Sequence, residues 1–375
     1  MSRFAFLFCV SLLAAAAQTR PITDAYVMQV HRSALLIDGH NDVTSLTVNG
    51  SDIGTENKKG QTDIQRLKQG GAGAQFFAAY VGAGYIDGNH AAHRALQMID
   101  TIRHDIVANH PGTFTLATSA AGILDARKHK KIAALIGIEG GHAIEDDLRL
   151  LRDFYRLGAR YMTLTHTKNL SWAGSSAEKE VRGLNDLGRS IVAEMNRLGM
   201  MVDIAHVSDQ TFWDVIKASK APVFSSHSGA RAVSNIPRNM TDEMLQAVGK
   251  KGGLVMVNLG CEFLSQRSAD TSPWINPSLP KDARCQQASI DDVVAHIDHI
   301  RRIAGIDAVG LGSDFDGVEC VPQGLDDTSK WPNLTRKLLE KGYSPSDIRK
   351  VYGQNLLRFM RSAEQTAREL GGKPF

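Results

Sequence analysis

The 375-residue chain has no Cys-x-x-Cys spacing, no run of Lys and Arg, and beyond its first residues no apolar stretch long enough to span a bilayer. A net charge of +3 without a basic run excludes a nucleic-acid footprint and leaves small polar or charged molecules open as substrates. No glycine-rich dinucleotide fingerprint follows the first strand-like run, and no internal repeat, low-complexity tract or interdomain linker stands out. Cysteine is scarce. Cys9 lies in the N-terminal segment, and Cys261, Cys285 and Cys320 are an odd number that cannot all pair within one chain. One disulfide and buried free thiols both fit. At 43% hydrophobic and 22% charged the composition is that of a folded soluble protein, and the length suits two average domains or one large α/β barrel.

At the N-terminus, Arg3 precedes an apolar run from Phe4 to Leu13 and the small residues Ala14 to Ala17. That pattern predicts a cleaved secretory signal peptide over residues 1–17, with Ala15 and Ala17 before the cut; a buried N-terminal helix is the alternative. The polar end from Glu364 to Phe375 carries no lipid-anchor signal. A secreted protein without a stable membrane anchor is expected, periplasmic if the source is Gram-negative.

Eight apolar runs read as strands: Ala34 to His40, Ala74 to Val81, Ile132 to Ile138, Tyr161 to His166, Met201 to His206, Val223 to His227, Leu254 to Leu259 and Ala308 to Gly312. Between them apolar residues recur at spacings of three and four, as in Leu148, Leu151, Phe154 and Tyr155, or Val293, Val294, Ile297 and Ile300. Ser289-Ile290-Asp291-Asp292 and Ser344-Pro345-Ser346-Asp347 have helix-start spacing, and Gly70, Gly158, Gly199 and Gly305 are stop signals. Strands alternating with helices pair in parallel, and eight of them predict a (β/α)8 TIM barrel over residues 18–375. An open doubly wound sheet is the runner-up. The stretch Ser265 to Arg284, with Pro273, Pro277 and Pro280, reads as a long loop over one end.

Catalytic groups in such barrels sit at the C-terminal strand ends. Six of the eight ends carry His, Glu or Asp: His40 and Asp42; Glu139; His166; Asp203 and His206; His227; and Asp314 and Asp316. Residues two apart on a strand share a face, so His40 and Asp42 can reach one point with a nitrogen and an oxygen. Alone, that pair also fits a capped turn. Together, neutral imidazoles and carboxylates suit zinc or a similar divalent ion. Glu139, flanked by glycine, is the natural bridge between two ions, and hydrolysis is the expected chemistry. Blander readings attach to several residues. His142 suits a structural role, Asp203 a supporting one, Asp316 a turn cap, and Trp172 either packing or the site mouth. His93, His104, His296 and His299 suit solvent-facing or packing positions.

The ordered motifs Asp38-Gly39-His40-Asn41-Asp42, Ile138-Glu139-Gly140-Gly141, Leu164-Thr165-His166, Asp203-Ile204-Ala205-His206, Ser226-His227-Ser228 and Gly312-Ser313-Asp314-Phe315-Asp316-Gly317 resemble the membrane dipeptidase (renal dipeptidase) family. The similarity runs from about Ala34 to the C-terminal helix. It implies a binuclear zinc dipeptidase on an amidohydrolase-type, metallo-dependent hydrolase barrel that acts on a small-molecule dipeptide through a hydroxide bridging the ions. By the same resemblance, His40 and Asp42 hold one zinc, His206 and His227 the other, and Glu139 both. His166 would stabilise the oxyanion, Asp314 would move the proton, and Arg238 would bind the substrate carboxylate. Phe263 stands where mammalian members have a tyrosine, which removes one hydrogen bond, and Ser234 stands where they have a disulfide cysteine, which leaves Cys285 without that partner.

Dipeptides with a D-residue in second position are within the implied range. The alternative is a related amidohydrolase acting on N-acyl amino acids, lactones or β-lactams. A binding protein on an inactive barrel would have lost a ligand or the acid/base, yet all are present. The sequence leaves a homodimer, the preferred dipeptides and the native metal open.

Overall fold

A strand that is apolar on both faces must be covered on both, and parallel strands joined through helices achieve this by closing into a ring. In the computed structural model, which describes residues 21–372 apart from 89 and 281, nine strands run parallel. They are β1 Leu36–Asn41, β2 Ala72–Tyr80, β3 Phe114–Leu116, β4 Ile132–Glu139, β5 Ala159–Thr163, β6 Met201–Asp203, β7 Phe224–Ser228, β8 Leu254–Val257 and β9 Val309–Leu311. β1 pairs with β2 at Leu36 and Ala72 and with β9 at Asp38 and Leu311, and β2 pairs with β4. Eight strands therefore close the expected barrel. The signal segment expected over residues 1–17 lies outside the described residues, and no helix among the described residues is long and apolar enough to cross a membrane.

β3 was not among the expected strands, because three residues are too few to show a period. It pairs Phe114 to Leu116 with Ile132 to Ala134 of β4, on the edge that β5 joins only from Ile136 onward. It thus satisfies backbone groups of β4 below the start of β5.

The helix starts hold as read. Ser289 with Asp292 and Ser344 with Asp347 form capping boxes, opening Ile290–Ala304 and Pro345–Arg349. Gly199, at φ 80°, caps Asp186–Leu198 in the left-handed conformation that glycine adopts without a Cβ penalty. Near Gly70 the left-handed residue is the next one, Gly71, at φ 72°. The stretch from Ser265 to Arg284 is not all loop: Ser265 caps a short helix, Gln266–Thr271.

Inside the barrel an aromatic column leads from its lower end toward the site. Phe359, on the C-terminal helix Asn355–Glu369, meets Phe224 at 5.1 Å between ring centroids; Phe224 meets Tyr161 at 5.4 Å, and Tyr161 meets Phe76 at 5.2 Å. Gly137 makes room for this column. A Cβ there would stand 1.9 Å from the Tyr161 ring, so any side chain at 137 would expel the tyrosine.

Candidate metal centre

The His, Glu and Asp side chains that close the apolar runs gather at one end of the barrel. Glu139, the last residue of β4, stands at their focus. Its Oε1 is 3.1 Å from His206 Nε2, 3.5 Å from His227 Nε2 and 3.7 Å from His166 Nε2. Its Oε2 faces the other way, 3.4 Å from His40 Nε2, which is 3.2 Å from Asp42 Oδ2 and 4.0 Å from Asp314 Oδ1. Five strand ends thus converge on one carboxylate whose two oxygens address two different donor sets. The chain turns sharply there. His206 (φ 64°), Asp314 (φ 62°) and Asp316 (φ 68°) are left-handed without being glycine, and such residues cluster at functional sites.

The donor chemistry fits divalent ions. Two atoms each about 2.1 Å from a tetrahedral ion stand about 3.4 Å apart, which matches the 3.0 Å between His206 Nε2 and His227 Nε2 and the distances to Glu139. His40 Nε2 and Asp42 Oδ2 are buried without a hydrogen-bond partner. Burial, then nearby cationic groups, holds His206 and His227 well below the usual imidazole range, so both are neutral and their nitrogens carry lone pairs. Burial opposes the charge on Glu139, but the nearby His40 outweighs it and holds the carboxyl well below its usual range.

A second layer fixes which nitrogen faces inward. Asp203 accepts from Ser226 Oγ (2.6 Å), Ser226 N (2.9 Å), Ala205 N (3.0 Å) and Thr163 Oγ1 (2.5 Å). With its proton spent on Asp203, Ser226 Oγ accepts from His227 Nδ1 at 2.7 Å, which leaves the Nε2 lone pair directed at Glu139. Asp203 is therefore a support and not a donor to the centre. Tyr161 does the same for His40: its hydroxyl donates to Gly39 O (3.2 Å) and accepts from His40 Nδ1 (2.8 Å). Replacing Tyr161 with Phe keeps the aromatic column and removes the hydroxyl with its bonds to His40 and Gly39. Divalent-ion affinity should fall roughly 10- to 100-fold, read by competitive ion titration; unchanged affinity would show that His40 is oriented by other contacts.

The strands for which no titratable end was named contribute too. Asn258, just past β8, donates through Nδ2 to Asp314 Oδ2 at 2.8 Å, leaving Oδ1 toward His40. Tyr80, at the end of β2, packs edge-on against His166 at 5.0 Å. Neither is a His, Glu or Asp, the residue types that mark the other strand ends.

Arg238 is buried beside this cluster. Its Nη2 donates to His227 O at 3.2 Å, while Nε and Nη1 have no partner. Its guanidinium lies 5.3 Å from the centroid of the Phe263 ring, so Phe263 supports the arginine without any hydroxyl to offer. The loops carrying these residues are tied together by His296. Its Nδ1 accepts from Ala230 N (2.9 Å), so its Nε2 donates to Leu264 O (3.0 Å). Burial, which outweighs that hydrogen bond, pushes His296 down to about 4. The unfolded chain therefore takes up this proton near pH 6.5 and the folded protein only near 4. Stability should be fully present above pH 6.5 and fall by up to about 3 kcal/mol as pH drops through that window. Denaturant unfolding of wild type and His296→Gln checks this: the variant's profile should be flatter, and an equally steep one would place the proton elsewhere.

The remaining histidines stay outside the centre. His142 hydrogen-bonds Gly82 O at 3.3 Å, His299 bonds Asp242 Oδ1 at 2.6 Å, and His93 and His104 are exposed. Asp316 does more than cap a turn: its Oδ1 accepts from Gln61 N at 2.8 Å, holding the 57–62 segment beside the site. Trp172 is buried, with its ring against Gly141, and does not line the mouth. Cys261, Cys285 and Cys320 are all free thiols.

Residues 25–373 match the family model for membrane dipeptidases, peptidase family M19. The chain is 38% identical over 353 residues to dipeptidase 3 of Rattus norvegicus, covering 90% of this chain and 67% of that protein. A metallopeptidase from Rhodobacter sphaeroides, crystallised with a phosphinate mimic of the dipeptide L-Ala-D-Ala, is similar with a TM-score of 0.78 at 28% identity, over 88% of this chain and 99% of that one. A probable dipeptidase from Pseudomonas aeruginosa shares the fold with a TM-score of 0.82 at 23% identity, over 92% and 99%.

Proposed function

Because the chain belongs to the membrane dipeptidase family, peptidase family M19, we propose that it is a dipeptidase that uses two zinc ions and accepts either an L- or a D-residue in second position. The observation that carries this reading is Glu139, whose Oε1 faces His206 and His227 while Oε2 faces His40 and its neighbour Asp42. His40 and Asp42 would hold one ion, His206 and His227 the other, and Glu139 both. When bound, such ions polarise a carbonyl oxygen and make water a nucleophile at neutral pH.

The chain's own residues account for the rest. Arg238, a buried cation whose Nε and Nη1 have no partner, keeps N–H donors free for an anion, which suits the substrate's terminal carboxylate. That anchor sets how far the scissile bond reaches into the site and so selects short substrates. His166, 3.7 Å from Glu139 Oε1, donates through Nε2 to the substrate carbonyl oxygen as negative charge develops there. Asp314, with Oδ2 held by Asn258, uses Oδ1 to take a proton from the attacking water and pass it to the leaving amine.

A panel of L,L- and L,D-dipeptides set against N-acyl amino acids, lactones and a β-lactam tests the proposal. Dipeptides of both configurations should be hydrolysed fastest, and activity should vanish with a chelator and return with zinc. Activity that survives in metal-free protein, or that favours acyl amino acids, would overturn it.

A further inference from the structure

The three cysteines that sequence spacing kept apart meet in space. Cys261 opens the short helix Cys261–Leu264 after β8, Cys285 lies between the helices Gln266–Thr271 and Ile290–Ala304, and Cys320 lies in the loop after β9. Their sulfurs all lie within 4.8 Å of one another, Cys261 buried and the other two half-buried. The three segments are stitched by backbone as well. Cys261 N donates to Cys320 O at 2.9 Å, Ala288 N donates to Cys261 Sγ at 3.3 Å, and the Cys285 thiol points at Ser268 O at 3.6 Å.

Three sulfurs bonded at about 2.3 Å to one ion in a trigonal plane stand about 4 Å apart, within the observed spacing. A disulfide would use two and strand the third. Soft thiolates select thiophilic ions over the harder ions that carboxylates prefer. We propose that Cys261, Cys285 and Cys320 form a three-thiolate site for one thiophilic d10 cation, separate from the Glu139 centre. Binding exchanges three S–H protons, released to solvent, for three metal–sulfur bonds, and needs no oxidant.

The site has a structural consequence. Phe263 is two residues from Cys261 and Val318 two from Cys320, and both pack with Ile236 and Ala269 in one small apolar cluster. An ion joining the three cysteines clamps the post-β8 and post-β9 loops over the face that holds Arg238. This inference stands independently of the dipeptidase reading.

Cadmium is a suitable probe, because a thiolate-to-cadmium charge-transfer band in the ultraviolet arises from sulfur ligands and not from the imidazoles and carboxylates around Glu139. Reduced full-length protein, preloaded with zinc and freed of excess, should develop the band to one equivalent of cadmium per chain. Cys285→Ser and Cys320→Ser should each lose it while keeping the wild-type hydrolysis rate. In the wild type, cadmium should also protect all three cysteines from alkylation, mapped by peptide mass, which keeps the test decisive if a serine variant folds poorly. A missing band, an undiminished band in either variant, alkylation of any of the three despite cadmium, or a disulfide between two of them in protein purified without reductant would overturn the proposal.

Discussion

Glu139→Gln is expected to leave a folded protein that hydrolyses dipeptides at least about a thousandfold more slowly and retains fewer than two divalent ions per chain. The exchange preserves shape and removes one charge. A glutamine can offer oxygen to only one of the two donor sets that Glu139 now faces, and its NH2 must turn toward the other. Where the carboxylate stands 3.1 to 3.5 Å from His206, His227 and His40, a neutral amide leaves at least one set incomplete. Metal analysis with kcat/KM measurement decides the matter, and near-ultraviolet circular dichroism checks the fold. A variant holding two ions with most of its activity would remove Glu139 from the bridging role.

Arg238→Ala should separate binding from chemistry. A charge-assisted hydrogen bond contributes about 1.5–3 kcal/mol, so KM for dipeptides should rise on the order of 100-fold with kcat little changed. Dipeptide amides, which lack the terminal carboxylate, should be handled alike by wild type and variant. Arg238→Lys should recover only part of the loss, because an ammonium keeps the charge but not the planar fork. Equal losses on dipeptides and their amides would mean that Arg238 serves the site by packing on Phe263 and bonding His227 O rather than by holding substrate.

Much of this molecule is legible locally. Run length and spacing give the eight barrel strands because an apolar segment and its first polar residue are sequence neighbours. β3 escaped because it exists only to cover an edge of β4 before β5 begins, a property of the partner strands and not of Phe114 to Leu116. Asn258 escaped for a different reason. An amide has no charge to draw attention, and its part in the site comes from being 2.8 Å from Asp314 Oδ2. Tyr161 sits within a strand, where an aromatic residue reads as core. It is core, but its hydroxyl reaches His40 from below because Gly137 leaves room for the ring.

What the sequence determined by itself is the set of groups and their common end of the barrel: His40, Asp42, Glu139, His166, His206, His227 and Asp314 all stand where apolar runs give way to polar residues. What only the tertiary structure decided is how those groups divide. Closure of the ring sets Oε1 of Glu139 against His206 and His227 and Oε2 against His40. The Asp203–Ser226 and Tyr161 contacts fix which imidazole nitrogens point inward, and loops remote in sequence bring three cysteines together. The physical reason is range. Hydrophobic periodicity acts between neighbours along the chain, whereas coordination geometry depends on atoms that become neighbours only when the barrel closes.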